Sequence, residues 1–158
     1  MPGPTFYLET SVWVSLAPWQ PRDRKQVVHR LLRLFEGTHD QCVISEVVLA
    51  EIHDAPSEDA VKILPHIDRV QPKVQAITDT MKVLAQAYIT ATVLPQGREM
   101  DALHVAAATC LEMDFLVSWN HRHMTRPTKR LQYELVNRLH HYLKTPFICN
   151  PFEACHEF

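Results

Sequence analysis

Short apolar runs alternate along the chain with longer segments in which apolar residues recur at helical spacing. Each run carries apolar or β-branched side chains at most of its positions, which is typical of strands that are buried on both faces. A half-exposed strand would instead alternate apolar and polar residues. The runs occupy residues 5–8, 42–45, 115–119 and 146–149.

The segments between these runs predict amphipathic helices. Gly37 is a residue type that often ends a helix, and Ser45 is expected to cap the helix that follows it. Proline is expected to break one helix at Pro65 and to begin another at Pro72. The helices are predicted at 23–37, 46–53, 57–68, 72–91, 100–113 and 129–143.

This alternation predicts the α/β class, with a three-layer α/β/α arrangement around a parallel sheet of four to five strands. The length of 158 residues is that of one domain, so residues 1–158 are expected to form a single unit. Open sheets of this kind place their sites beyond the carboxyl ends of the strands. The residues that directly follow each strand are therefore the first candidates for chemistry.

Composition narrows the class of protein. The chain is 46% hydrophobic and 22% charged, and it contains three glycines, which excludes the glycine-rich phosphate loops. No apolar run is long enough to span a membrane, and the basic start of a signal peptide is missing, so we expect a cytoplasmic protein without membrane association. A zinc site is a minor alternative at Cys149, Cys155 and His156.

One segment is strongly basic although the net charge is −2. Between residues 122 and 144 a single acid, Glu134, stands among six basic residues. Such a patch suits a phosphate backbone, and a solvated helix face explains the same charges equally well. The six are Arg122, Arg126, Lys129, Arg130, Arg138 and Lys144.

Four oxygen-bearing side chains lie near strand ends. Glu9 follows the first run directly, and Asn120 follows the run that ends at residue 119. Asp101 lies in the first turn of the helix at 100–113, and Glu51 lies in the helix after the second run. Each has an ordinary structural explanation by itself, but together they favour a shared ligand. Crowded carboxylates repel one another, and Mg²⁺ or Mn²⁺ removes that penalty through the oxygen ligands it prefers.

The same residues carry a resemblance to a known family. The segments FYLETSVWVSL, VISEVVLAEI and DALHVAAATCLEMDFLVSWNHRHM, in this order between residues 6 and 124, resemble a PIN domain. This is the nuclease fold of VapC-like toxins in bacterial toxin–antitoxin pairs. The resemblance implies a metal-dependent endoribonuclease that hydrolyses RNA to a 3′-hydroxyl and a 5′-phosphate.

The resemblance also implies roles for individual residues. The catalytic acids of the family fall on Glu9, Glu51, Asp101 and Asn120, of which Glu9, Asp101 and Asn120 are expected to hold Mg²⁺ or Mn²⁺. Ser11 and Ser118 occupy the supporting hydroxyl positions. Glu46 is a rival of Glu51, but the VVLAEI context favours Glu51. Arg122, Arg126, Lys129 and Arg130 are expected to contact RNA phosphates.

Two positions depart from the family pattern. Glu9 and Asn120 stand where aspartate is usual, so the site has at most three carboxylates. The alternative hypothesis is therefore a PIN-fold module that binds RNA or protein with little or no cleavage.

The resemblance implies partners as well. A cognate antitoxin and a second copy of the chain in a homodimer are expected beside the RNA substrate. Trp13, Trp19 and the segment 72–91 supply apolar residues for such contacts, although core packing explains most of them equally well.

Overall fold

The computed structural model describes residues 2–157, apart from the side chain of His39. The single-domain prediction for residues 1–158 therefore reaches one residue beyond the described chain at each end. Within the described residues, no helix is long and apolar enough to cross a membrane.

A five-stranded parallel sheet forms the centre of the fold. Its strand order is β3-β2-β1-β4-β5. The central strand β1 pairs with β2 on one side and with β4 on the other, and it is fully buried. The strands are Phe6–Leu8 (β1), Cys42–Ser45 (β2), Lys73–Gln75 (β3), Phe115–Val117 (β4) and Phe147–Cys149 (β5).

Eight α-helices flank the sheet in the described chain, which confirms the predicted three-layer α/β/α class. α2 packs against α8, whereas α5 packs against α6 and α7. A 3₁₀ turn at His39–Gln41 and a π-helical turn at His121–Thr125 complete the regular structure. The helices are Thr10–Val14 (α1), Arg22–Arg33 (α2), Glu46–Asp54 (α3), Ser57–Val70 (α4), Asp79–Thr90 (α5), Glu99–Cys110 (α6), Pro127–Leu139 (α7) and Pro151–Cys155 (α8).

The predicted signals at the ends of α2 and α3 are present. Ser45 caps α3, because its hydroxyl accepts a hydrogen bond from the backbone N–H of Val47 at 3.3 Å. Gly37, shortly after α2, has a φ of +81°, a left-handed conformation that glycine adopts without strain.

The predicted break at Pro65 is wrong. α4 continues through this residue to Val70. Pro65 lies on the exposed side of the helix, while four apolar residues on the opposite side are buried in the core. Burial of that stripe outweighs the loss of one backbone hydrogen bond. The stripe consists of Ala60, Ile63, Ile67 and Val70.

The helix predicted over 72–91 is wrong at its beginning. Its first residues form the edge strand β3, and α5 begins only at Asp79. The ladder pairs Ile44 of β2 with Val74 of β3, a contact between distant parts of the sequence that local periodicity does not encode. Thr78 marks the true start, because its hydroxyl accepts a hydrogen bond from the N–H of Met81 at 3.2 Å.

The sheet topology locates the site. The chain moves from β1 towards β3 on one side of the sheet and from β4 to β5 on the other, so the direction of winding changes between β1 and β4. Ligands of such sheets bind beyond the carboxyl ends of the strands at this switch point. Glu9 and Ser118 follow β1 and β4 at this position, and the Glu9 N–H bonds the carbonyl of Val117 at 3.1 Å.

Candidate active site

Glu9 is a buried carboxylate that is held by three hydrogen-bond donors. Only 5% of the residue is exposed. One oxygen accepts the N–H of Ser11 at 2.9 Å, which caps α1. The other accepts the hydroxyls of Ser11 and Ser118, each at 2.8 Å. A carboxylate has about four acceptor sites, so Glu9 keeps room for roughly one more contact.

Ser11 and Ser118 join the ends of β1 and β4. Besides contacting Glu9, the Ser11 hydroxyl accepts the N–H of Trp119 at 2.9 Å. The Ser118 hydroxyl accepts the N–H of Asn120, also at 2.9 Å. Both serines therefore lie where the sequence predicts supporting hydroxyls.

Glu51 lies in α3 and is held by two partners. One oxygen accepts the hydroxyl of Thr10 at 2.7 Å and lies 2.5 Å from Nε2 of His104. Burial acts to raise the pKa of Glu51, but the hydrogen bond and charge of His104 and the hydrogen bond from Thr10 outweigh it, so this pKa is lowered. Glu51 is therefore ionised near neutral pH. Its rival Glu46 accepts the N–H of Ile77 at 2.7 Å and connects α3 to the segment before α5.

His104 is a site residue that the sequence analysis did not single out. Its side chain is 1% exposed and lies between Glu51 and Tyr7, whose hydroxyl is 2.7 Å from Nδ1. The Tyr7 hydroxyl is in turn 2.7 Å from the hydroxyl of Ser45. The signal for this role was available, because His104 interrupts an apolar, alanine-rich stretch one helical turn after Asp101.

Asp101 is a largely buried carboxylate with little positive charge close to it. Its nearest basic group is a terminal guanidinium nitrogen of Arg98, at 4.0 Å, and the side-chain amide of Asn120 donates to it at 3.4 Å. Burial raises the pKa of Asp101, and the charges of His104, Arg98 and His123 offset this only in part. Ionisation of Asp101 is therefore less favourable than in water, and a further cation would favour it.

Asn120 turns its amide nitrogen, rather than its oxygen, towards Asp101. The oxygen accepts the backbone N–H of His123 at 3.0 Å and so caps the π-helical turn. Because the backbone N–H of His123 is a donor, the atom of Asn120 that faces it is the amide oxygen, and the amide nitrogen faces Asp101. In this conformation Asn120 acts as a donor to Asp101 at the site.

His123 lies beside this group. It is 7% exposed, and neither ring nitrogen has a hydrogen-bond partner among the described residues. Burial and the nearby charge of Arg98 lower the pKa of His123, and the negative charge of Asp101 opposes this. The imidazole is therefore neutral at pH 7.

The four predicted RNA-contacting residues divide into two pairs. Arg122 is exposed within the π-helical turn, and Arg126 is exposed directly after it. Lys129 donates to the carbonyl of Val93, and Arg130 contacts Glu153 at 3.3 Å and lies over the ring of Phe147. Lys129 and Arg130 are therefore engaged within the fold.

The chemistry of the donors fits a hard divalent cation. Within residues 2–157 no three His, Cys, Asp or Glu side chains converge as a ready metal cluster, and this includes the cysteines weighed for zinc. Mg²⁺ in proteins, however, commonly takes one or two carboxylates and fills the remaining positions with water and substrate phosphate. Asp101 and Glu51 are the candidates for such carboxylates, and the charge of Glu51 contributes to the raised pKa of Asp101.

Comparison with known proteins gives fold neighbours only. No family model matches the chain, and no curated protein sequence does. VapBC2 from Rickettsia felis, solved with a DNA fragment from its promoter, is 17% identical, with a TM-score of 0.55 over 75% of this chain and 89% of that one.

Two further structures resemble the chain to the same degree. A toxin–antitoxin complex from Klebsiella pneumoniae is 15% identical, with a TM-score of 0.57 over 79% of this chain and 94% of that one. VapC20 from Mycobacterium tuberculosis, described as a toxin that cleaves the sarcin–ricin loop, is 15% identical, with a TM-score of 0.57 over 75% and 92%.

The chain has the PIN fold of VapC-like toxins. In this PIN fold the end of β1 supplies Glu9, the end of β4 supplies Ser118 and Asn120, and α3 and α6 supply Glu51 and Asp101. Glu51 accepts the hydroxyl of Thr10, which directly follows Glu9, and Asp101 accepts the amide of Asn120 beyond β4. The PIN fold thus brings Glu9, Glu51 and Asp101 to one edge of the sheet.

Proposed function

We propose that the protein is a Mg²⁺- or Mn²⁺-dependent endoribonuclease and the toxin of a toxin–antitoxin pair. The observation that carries this proposal is the pair of acids at the switch point of a PIN fold. Glu51 is held ionised by His104, and Asp101 is buried with too little positive charge around it. A divalent cation would supply the missing positive charge and could bind a phosphodiester at the same place.

Asp101 would hold the cation directly, and Glu51 would contact it through the attacking water. Glu9 would add a contact through its remaining acceptor site, directly or through water, as the sequence analysis expects for this residue. When bound, the cation supplies positive charge that polarises the phosphate and helps to deprotonate the attacking water. Asn120 was expected among the ligands, and its observed contacts favour a role in orienting Asp101.

The remaining steps belong to side chains of the chain. Glu51 accepts hydrogen bonds on one oxygen, and we assign the other oxygen to orienting the attacking water and accepting its proton. Water then attacks the phosphodiester in line with the leaving 3′-oxygen and leaves a 5′-phosphate. Arg122 and Arg126 are exposed near Asn120 and would hold the flanking phosphates.

An antitoxin and a second copy of the chain are the proposed protein partners. Two of the fold neighbours are described as complexes of a toxin with its antitoxin. Trp19 is 58% exposed and Val83 on α5 is 64% exposed, which suits a covered interface. Trp13 is fully buried and belongs to the core instead.

A binding module with little cleavage is the second candidate. It is favoured by the three internal donors that already hold Glu9 and by the amide at position 120, which lowers the negative charge of the site. This module would bind RNA or a protein partner, and because both candidates allow RNA binding, a cleavage assay separates them.

The decisive experiment compares RNA cleavage by Asp101→Asn with cleavage by Asp79→Asn. Asp79 is an exposed aspartate in the first turn of α5 and is the matched control for the loss of a helix-start carboxylate. We expect the parent protein and Asp79→Asn to cleave a mixed RNA in Mn²⁺, and Asp101→Asn and EDTA to abolish cleavage. Cleavage that persists in Asp101→Asn or in EDTA refutes the assignment, and RNA retention without cleavage by the parent protein favours the binding module.

A further inference from the structure

The most basic exposed surface outside the candidate site is a cleft between α2 and α4. α2 contains five Lys or Arg and one acid, Asp23. Two of its arginines, one histidine and one glutamine recur at spacings of three and four, which places them on one side of the helix. With Arg69 of α4 they line an open cleft of about 580 Å³. The wall residues are Gln26, His29, Arg30, Arg33 and Arg69.

Few acids compensate this charge. Glu36 pairs with Arg69 at 3.3 Å, and both side chains are more than half exposed. Across the described chain, Arg30 and Arg33 form no ion pair with a carboxylate. The cleft therefore holds three guanidinium groups against one glutamate.

Two histidines lie against these arginines. The rings of His29 and His66 meet edge to face, with centroids 5.3 Å apart. Burial and the charges of Arg33, Arg69 and Lys25 lower the pKa of His29, and burial, His29 and Arg69 lower the pKa of His66. The cleft is thus a region of positive potential in which an anion is stabilised.

The basic run at 122–144, by contrast, is largely compensated. Four of its six basic side chains contact acids or a carbonyl within the chain. Guanidinium groups without such partners suit phosphate, because their fork of donors matches two phosphate oxygens. The four compensated residues are Lys129, Arg130, Arg138 and Lys144.

The same helix connects the cleft to the candidate site. Arg24, near the start of α2, lies over the ring of Trp119 at 4.6 Å from its centroid, and Trp119 adjoins Asn120. Arg24 and Arg33 are nine residues apart, which is roughly 14 Å along a helix. Nine residues are about two and a half turns, so Arg24 lies on the side of α2 opposite the cleft. A polyanion bound in the cleft therefore has to follow α2 for this distance and pass around it to reach the site.

We propose that the cleft between α2 and α4 binds a phosphate group of an RNA backbone whose adjoining segment runs along α2 to the candidate active site. The assignment of the phosphate to RNA rests on the proposed function. Affinity for phosphate itself does not depend on cleavage, so phosphate binding and RNA cleavage are tested separately.

The first test follows the imidazole NMR signals of His29 and His66. Asp101→Asn protein in EDTA is titrated with inorganic phosphate and, separately, with a short oligouridylate whose length is checked afterwards by gel. Both anions are expected to shift these signals and to raise the pKa of both histidines, since the anion offsets the arginine charges. Signals that move with neither anion overturn the proposal, and signals that move with phosphate alone reveal a small-anion site and overturn RNA as its occupant.

The second test removes charge from the cleft. Arg30→Gln and Arg33→Gln are compared with Arg138→Gln, an exposed arginine on α7 that pairs with Glu134. Each cleft variant is expected to weaken binding of the oligouridylate about tenfold. Each is also expected to lower the slope of log affinity against log salt by about 0.7, the contribution of one phosphate contact on a single strand.

The control is expected to change neither quantity, and equal effects in control and cleft variants would refute the site. Because this binding is measured without cleavage, an inactive parent protein that still binds RNA in the cleft refutes the proposed function alone.

Discussion

Nε2 of His104 lies 2.5 Å from Oε1 of Glu51, and the opposite ring nitrogen lies 2.7 Å from the Tyr7 hydroxyl. Burial raises the pKa of Tyr7, so its hydroxyl keeps its proton. The Nε2–H of His104 donates to the carboxylate of Glu51, and Nδ1 with the hydroxyls of Tyr7 and Ser45 continues the hydrogen-bonded chain behind it. Through His104, helix α6 thereby holds the Glu51 carboxylate of α3 in place.

Tyr7→Phe tests how much this group contributes to stability. The substitution keeps the ring but leaves His104 and Ser45 without their buried partner. We expect the free energy of unfolding to fall by about 1–3 kcal/mol, as is usual for a buried polar group without a partner. Urea denaturation measures it, and Tyr142→Phe, whose hydroxyl contacts only a thiol at 3.4 Å, is the control. A loss equal to that of the control contradicts the hydrogen-bonded chain.

Substitutions of His104 test whether it positions Glu51 for catalysis. His104→Leu removes the donor to Glu51, and His104→Gln retains an N–H at similar reach. We expect His104→Leu to lower kcat for RNA cleavage about a hundredfold, in the range of general-base effects, with KM little changed. His104→Gln is expected to restore most of the loss. Equal losses of kcat in the two folded variants would show a purely structural role.

Most of the fold was accessible from local pattern. Continuous apolar runs predicted β1, β2, β4 and β5, because these strands are buried. The alternation of these runs with helical segments predicted the α/β class. β3 was missed, since Lys73–Gln75 is a largely exposed edge strand defined by pairing with β2. α1, α8 and the π-helical turn were missed as well, because each is five residues long and carries little periodicity.

The positions of the site residues could be predicted from the sequence, but their side-chain contacts could not. Strand ends indicated where Glu9 and Asn120 would lie. Local sequence patterns do not show that two serines donate to Glu9 or that the oxygen of Asn120 caps the next turn, since these contacts depend on side-chain orientation. The basic cleft was missed for a related reason. Its residues come from α2 and α4, whereas the sequence analysis considered a continuous basic run.

Asp101→Asn is expected to stabilise the protein in EDTA. The pKa of Asp101 is raised by folding, so the unfolded chain loses this proton first and stability falls as the pH rises through the range between the two values. At neutral pH the full penalty is present, and the neutral amide removes it. We expect a gain of about 1 kcal/mol, or about 3 °C in Tm.

Calorimetry at two pH values and with added metal checks this prediction. The gain is expected to vanish at acidic pH, where Asp101 is protonated in both states. Mg²⁺ is expected to raise the Tm of the parent protein but not that of Asp101→Asn, because the ion stabilises only a chain that binds it. A Tm that rises equally in both proteins would exclude Asp101 as a metal ligand.

His29 and His66 are expected to make the protein less stable in mild acid. Folding lowers the pKa of both groups below the ordinary value of 6.5, so the unfolded chain takes up protons first as the pH falls. Stability is therefore retained above about pH 6.5 and declines below it, as the unfolded state binds more protons than the folded one. Urea denaturation from neutral pH downward measures the free energy of unfolding. This free energy is expected to decline less steeply in the double variant His29→Gln, His66→Gln than in the control His53→Gln, which removes an exposed imidazole from α3. Inorganic phosphate is expected to reduce the decline in the parent protein, because its charge offsets Arg33 and Arg69. A decline that responds neither to the substitutions nor to phosphate would have its origin outside the cleft.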